Sequence, residues 1–154
     1  MDLALTFNPT LQAFDLSQAG TDLKSEDTLA SAVLVSLLCD RQAQAYEVPS
    51  GQDPRGWWAD AFATVPHQTG SRLWLMEREK QLASTVQRCK QYCEEALAWM
   101  LADGLATRVV ATVFVPRSGW LVALIALQLN GASRQYRFEF DQAAQVWALA
   151  GEAF

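Results

Sequence analysis

The sequence predicts an α+β fold: two main helices packed on an antiparallel sheet or meander, with an N-terminal β-hairpin arm. Three observations predict it. Two stretches, Glu26–Ala43 and Ser84–Asp103, carry apolar residues at helical spacing. Between Thr107 and Phe140, three β-branched or aromatic runs are joined by the turn signals Pro116-Arg117-Ser118-Gly119 and Asn130-Gly131. At the start, Leu3, Leu5 and Phe7 alternate with Asp2, Ala4 and Thr6. A chain of 154 residues has the usual size of one domain and can bury a core, so residues 1–154 read as a single domain.

The arm covers residues 1–23. Asn8-Pro9 signals its turn, Phe14 and Leu16 alternate on the return strand, and Gly20 closes it. A lone hairpin is marginal in water, so the arm must lie on the domain or on a partner. In the first helix, Ser25 serves as N-cap, and Glu26 and Asp27 place negative charge in the first turn. Leu29, Val33 and Leu37 form one stripe while Leu34, Val35 and Leu38 fill most of the rest, so this helix is buried on several sides. Asp40 and Arg41 follow. The preferred reading is a solvated helix end; the competing one is a joint in which Arg41 pairs with a carboxylate.

Residues 46–71 are punctuated by Gly and Pro and hold no sustained period; this is loop, with room for a helical turn or two between Gly56 and Val65. The second helix sets Val86, Cys89, Cys93, Ala96, Leu97 and Met100 on one face, and Gly104 stops it. Trp99 lies off the centre of that face, positioned to touch a neighbouring element. In the meander, Val109, Ala111, Val113 and Val115 share one face. Trp120–Leu129 is apolar on both faces, as a central strand would be, and Tyr136, Phe138 and Phe140 point inward. The tail, residues 141–154, has a weak helical period through Ala144, Trp147 and Leu149.

Several function classes are disfavoured. A net charge of −5 opposes binding to nucleic acid. The longest apolar run, Leu121–Leu127, is too short to span a membrane, and the first residues lack the basic start and apolar block of a signal peptide. The expectation is a protein that acts, or is assembled, in the cytoplasm. Three cysteines form no disulfide framework. Cys89 and Cys93 share a helix face and are expected to pack as thiols rather than hold a metal. His67, the one histidine, lies in a polar, turn-prone stretch without a nucleophile elbow and reads as a surface-loop residue. Glu94 and Glu95 are helix neighbours that point apart and read as solvated. No phosphate loop, dinucleotide fingerprint or zinc motif is present, so no cofactor and no catalysis are expected.

The densest stretch is Asp53–Trp74, which holds Arg55-Gly56-Trp57-Trp58-Ala59-Asp60 and ends in Gly70-Ser71-Arg72-Leu73-Trp74. Arginine and tryptophan are enriched at binding hot spots. The stretch reads as a packed clasp between the two helices, with Arg55 and Arg72 paired. Adjacent residues point apart, so at least one of Trp57 and Trp58 is expected in the core. With Arg41, the residues Arg55, Gly56, Trp57, Trp58, Asp60, Gly70, Ser71, Arg72, Leu73 and Trp74 form the candidate interaction site.

These motifs resemble the signature of the Mu-type phage gene product 46 family, small baseplate proteins of contractile-tailed phages. The likeness extends to Met1-Asp2-Leu3-Ala4-Leu5, to residues 28–37 with Asp40-Arg41, and to Tyr92–Gly104. It departs at Pro54, where the family pattern has arginine, and at Ala59, where it has glycine. The resemblance implies a structural part of the virion tail baseplate, similar to the sheath-initiating, lysozyme-like wedge proteins whose fold need carry no lysozyme activity. It implies six copies around the tail axis. The implied partners are other wedge proteins, the sheath protein and the central hub or spike proteins, without nucleic acid or membrane. The equivalent part of a tailocin or secretion machine is the nearest alternative; a cell-wall-acting enzyme is a weaker one.

Overall fold

The computed structural model describes residues 2–8, 10–11, 13–26, 29–78 and 83–153. The chain opens with β1 (Asp2–Leu3), then β2 (Leu5–Asn8) and β3 (Ala13–Leu16), which pair antiparallel as the expected hairpin. The Asn8 side chain builds its turn, its Oδ1 accepting from the N–H groups of Thr10 at 3.0 Å and Leu11 at 3.2 Å. Phe7 and Phe14 meet edge to face across the pair. Gly20 does not close this hairpin. It turns a second, smaller one between β4 (Gln18–Ala19) and β5 (Asp22–Leu23).

The first helix is shorter than its pattern. Ser25 and Glu26 form β6 (Ser25–Glu26) against β1 instead of capping, and α1 covers only Ala30–Leu38. Asp27 and Thr28 lie outside the described residues. What displaces the N-terminal turn is the arm. Ser31 Oγ donates to the Leu3 carbonyl at 2.9 Å and accepts from the Leu5 N–H at 3.2 Å, tying β1 and β2 to α1. At the other end Cys39 is extended and its carbonyl accepts the Ser71 N–H, so residues 40–43 leave the helix.

The second helical pattern is split. Helix α2 (Ala83–Ala96) and helix α3 (Ala98–Ala102) meet at Leu97, where the Met100 N–H reaches back only three residues to the Leu97 carbonyl. The expected face holds, with Cys89, Cys93, Ala96, Leu97 and Met100 buried. Gly104 takes the left-handed conformation that ends it.

The meander follows as β7 (Arg108–Arg117), β8 (Trp120–Leu129), β9 (Ala132–Asp141) and β10 (Val146–Ala153), in sheet order β10-β9-β8-β7. The tail is therefore a strand, not a helix. Gln145, at a positive φ, turns the chain back, and Trp147 pairs with Phe140 at a ring separation of 5.0 Å. A free edge on β9 and a large apolar ring to cover outweigh a weak helical period. On β8, Leu121, Ala123, Ile125 and Leu127 are buried, as are Tyr136, Phe138 and Phe140 on β9. They form one core with Val33, Leu34 and Leu37 of α1 and the buried face of α2 and α3.

Candidate functional site

The predicted clasp is built where the end of α1 meets the loop before α2. Asp40 and Ser71 form a short parallel bridge. The Ser71 N–H donates to the Cys39 carbonyl and the Arg41 N–H to the Ser71 carbonyl, each at 2.8 Å. Ser71 is buried, and its Oγ donates to the Leu37 carbonyl at the open end of α1 and accepts from the Leu73 N–H. This satisfies a helix-end carbonyl that would otherwise be orphaned. Gly70 makes the close approach possible: at φ +89°, an added Cβ would lie 2.2 Å from the Cys39 carbonyl oxygen. Leu73 is buried below, in the helical turn Leu73–Arg78.

Two ionic groups brace this bridge. In the first, Arg72 donates to Glu47 Oε1 at 2.8 Å and to Glu95 Oε2, while its guanidinium lies 4.6 Å from the centre of the Tyr92 ring. Tyr92 donates in turn to Glu47 Oε1 at 2.9 Å. Arg41 pairs with Glu95 at 3.1 Å and donates to the Gln68 carbonyl at 2.9 Å. Arg41 is thus in a carboxylate joint, not at a solvated helix end; Glu95 is exposed, as its sequence position suggests, and from there pairs with both Arg41 and Arg72. Glu94 is also engaged, accepting from the Ala111 N–H of β7 at 3.2 Å. The Nε–H groups of Arg41 and Arg72 are buried without an acceptor among the described residues, a cost the two pairs must exceed.

In the second group, Arg55 pairs with Asp40 at 2.9 Å and stacks 4.4 Å from the Trp74 ring centre. Trp74 Nε1 donates to the Arg41 carbonyl at 2.9 Å. Arg55 itself sits at φ +55° and Gly56 at +104°, so the chain reverses sharply here. The Arg55 N–H donates to Asp53 Oδ1, which holds the reversal. Asp60 anchors the far side by accepting from both the N–H and the hydroxyl of Thr69 at 2.8 Å.

The two tryptophans behave differently from expectation. Trp57 is 52 % exposed and Trp58 73 %. Neither enters the core; the tryptophan that lies against Arg55 is the half-buried Trp74. Instead the turn Trp58–Phe62 carries them outward, with Trp57, Trp58 and Phe62 in successive edge-to-face contact. His67 is exposed, as its sequence position suggests. No cluster of three or more His, Cys, Asp or Glu side chains that could hold a metal occurs among the described residues.

Residues 29–134, from the start of α1 into β9, match the family described as "Phage protein GP46". The chain belongs to this family. It is 38 % identical over 128 residues to "Baseplate protein gp46" of Escherichia phage Mu, covering 81 % of this chain and 87 % of that protein. It is 32 % identical over 136 residues to "Mu-like prophage FluMu protein gp46" of Haemophilus influenzae (strain ATCC 51907 / DSM 11121 / KW20 / Rd), covering 88 % and 93 %.

Within this family member, sequence reasoning found the arginines of the clasp but missed Glu47, Tyr92 and Glu95. A signal existed: a buried arginine demands a carboxylate, and Glu47 stands at the start of the loop and Glu95 beyond its end. Burial pushes the Glu47 carboxyl up, but the Gln44 N–H, Arg72 and Tyr92 outweigh it and hold its pKa below the ordinary value. Its contribution is therefore complete above an unfolded pKa of about 4.3 and is lost as pH falls through the lower folded value. Burial and the bond to Glu47 push the Tyr92 phenol up to about 12. That contribution is complete below an unfolded pKa of about 10 and fades as pH rises through the folded value. Urea midpoints followed from pH 7 downward should fall below about pH 4.3, and Glu47→Gln should flatten that fall. An equally steep fall in the variant would mean that other carboxylates carry it.

Proposed function

We propose that the chain is a structural component of a contractile phage-tail baseplate, an inner wedge protein that joins the larger wedge protein to the central hub and the first sheath ring. In this reading six copies surround the tail axis, the part is assembled in the host cytoplasm, and it acts without enzymatic activity. The observation that carries it is a rigid loop that spends its ionic groups on bracing and displays its aromatics. Arg55, Asp60 and Gly70–Arg72 are held by the fold, while Trp57, Trp58 and Phe62 stand in solvent. An exposed apolar cluster on a preorganised support is what a permanent protein contact requires. The name of the phage Mu relative, "Baseplate protein gp46", supports the baseplate part of this reading. The sheath contact belongs to the meander or to the N-terminal arm, where exposed strand edges offer main-chain pairing.

Pull-down of the tagged chain with the neighbouring wedge and sheath proteins tests it; capture of neither partner by the wild-type chain would sink it. Because Trp58 is largely exposed, Trp58→Ala should change unfolding free energy by no more than about 0.5 kcal/mol. In the same protein it should weaken partner capture by about 2 kcal/mol or more. A large loss of stability with intact capture would reverse the role given to this ring.

A further inference from the structure

Residues 57–68 carry no buried side chain, and a cleft of about 800 Å³ lies between the aromatic turn and α3. Packing from below therefore does not set the pose of Trp57, Trp58 and Phe62. Among the described residues, two groups in this stretch form hydrogen bonds beyond it. Asp60 accepts from Thr69, and the Gln68 carbonyl accepts from Arg41. Both bonds secure the far end. The near end is set by the chain reversal at Arg55 and Gly56.

That reversal is held by the residues that leave α1. The Ala43 N–H donates to the Pro54 carbonyl at 2.9 Å, and Asp40 pairs with Arg55 at the same distance. The chain passes closely over Gln42, whose Cβ would lie 2.8 Å from a Cβ added at Gly56. Asp40 thus holds the near end of the aromatic excursion while its neighbour Arg41 holds the far end through Gln68. The backbone of Arg55 is the strained point. Its φ of +55° lies in the left-handed region, which disfavours any residue with a Cβ. A relaxed Arg55 would take a negative φ and swing the residues that follow. Asp53 holds its N–H, while Asp40 and the Trp74 ring hold its guanidinium. Such strain persists only where surrounding contacts over-determine it.

We infer that Asp40 is a positioning residue: by pairing with Arg55 it maintains the left-handed reversal and so fixes the outward pose of Trp57 and Trp58. This rests on the baseplate reading for what the pose is used for, and adds how the pose is set. Asp40 and Arg55 are 43 % and 35 % exposed, so their pair contributes little to global stability. Its effect is on the local conformer. Without the pair the displayed pose becomes a minor population, and apparent affinity for a partner falls with that fraction, by about fivefold or more.

The test combines circular dichroism with partner capture, both on the full chain. Trp57 and Trp58 are the one pair of tryptophan rings in contact among the described residues, 6.3 Å apart with 61° between their planes. Two such rings give an exciton couplet whose sign and size follow their geometry, and Trp57→Phe identifies the couplet by removing it. Asp40→Ala should lose most of the couplet and keep a melting curve close to that of the wild type. It should also weaken capture of the neighbouring wedge or sheath protein by about fivefold or more. Asp40→Glu, which keeps the carboxylate, should restore both readouts. In an Arg55→Asn chain, where asparagine tolerates the left-handed conformation by itself, adding Asp40→Ala should change neither. An unchanged couplet in Asp40→Ala overturns the inference, as does a melting curve far below that of the wild type, which would make Asp40 a structural residue. A lost couplet with intact capture upholds the positioning and removes the contact role given to the aromatic turn. Capture of neither protein by the wild type removes the baseplate reading and leaves the couplet to decide the inference.

Discussion

Replacing Arg72 by alanine will destabilise the fold by about 3–5 kcal/mol, the cost of leaving a buried charge without its partner. Arg72 and Glu47 are 13 % and 10 % exposed, so water screens their interaction little. Removing the guanidinium leaves Glu47, among the described residues, with the Gln44 N–H and Tyr92 and takes one partner from Glu95. It also uncovers the face of Tyr92 on which the guanidinium lies. Lysine should rescue only part of the loss, because one ammonium cannot fork to two carboxylates and lie flat on a ring. Urea unfolding of the wild type and of Arg72→Ala, Arg72→Lys and Arg72→Ala/Glu47→Gln measures this. The double variant should recover part of the stability, since the amide needs no counter-charge. A loss under about 1 kcal/mol for alanine would place the group among ordinary surface pairs.

Gly70→Ala should cost on the order of 3 kcal/mol, from two sources. A left-handed conformation costs a non-glycine residue roughly 1–2 kcal/mol. In addition, the new methyl group would overlap the Cys39 carbonyl, which is backbone and cannot swing aside. The bridge must open, weakening the two hydrogen bonds between residues 39–41 and 71, each worth about 0.5–1.5 kcal/mol. Gly51→Ala is the control. Gly51 has a similar φ of +86° but no atom within 4 Å of an added Cβ, so it should show only the conformational part. Equal losses at the two glycines in thermal or urea unfolding would mean that the close approach at Gly70 contributes nothing.

The meander was legible because its signals are local. Asn130-Gly131 sets a hairpin, and in Tyr136, Phe138 and Phe140 the alternation of apolar side chains fixes which face is buried. The arginines of the clasp were legible as residues that need partners. Their partners were not, because Glu47 lies 25 positions before Arg72 and Glu95 lies 23 after it. No local pattern reports a contact at that separation.

By itself, then, the sequence determined the α+β class, the buried face of the second helix, the order of the three core strands and the glycines on which the clasp turns. Each follows from periodicity or from a backbone conformation that few residues tolerate. Tertiary structure alone decided the rest. It shortened α1, because β1 claims Ser25 and Glu26 and the Gly70–Ser71 backbone claims Cys39. It turned the tail into a strand, because β9 had an edge to pair. And it sent Trp57 and Trp58 outward, where the chain reverses at Arg55 and Gly56, while Trp74 lies against Arg55. A tryptophan's hydrophobicity says that it gains by burial; only the packed fold says whether a place inside remains or the burial must come from a partner.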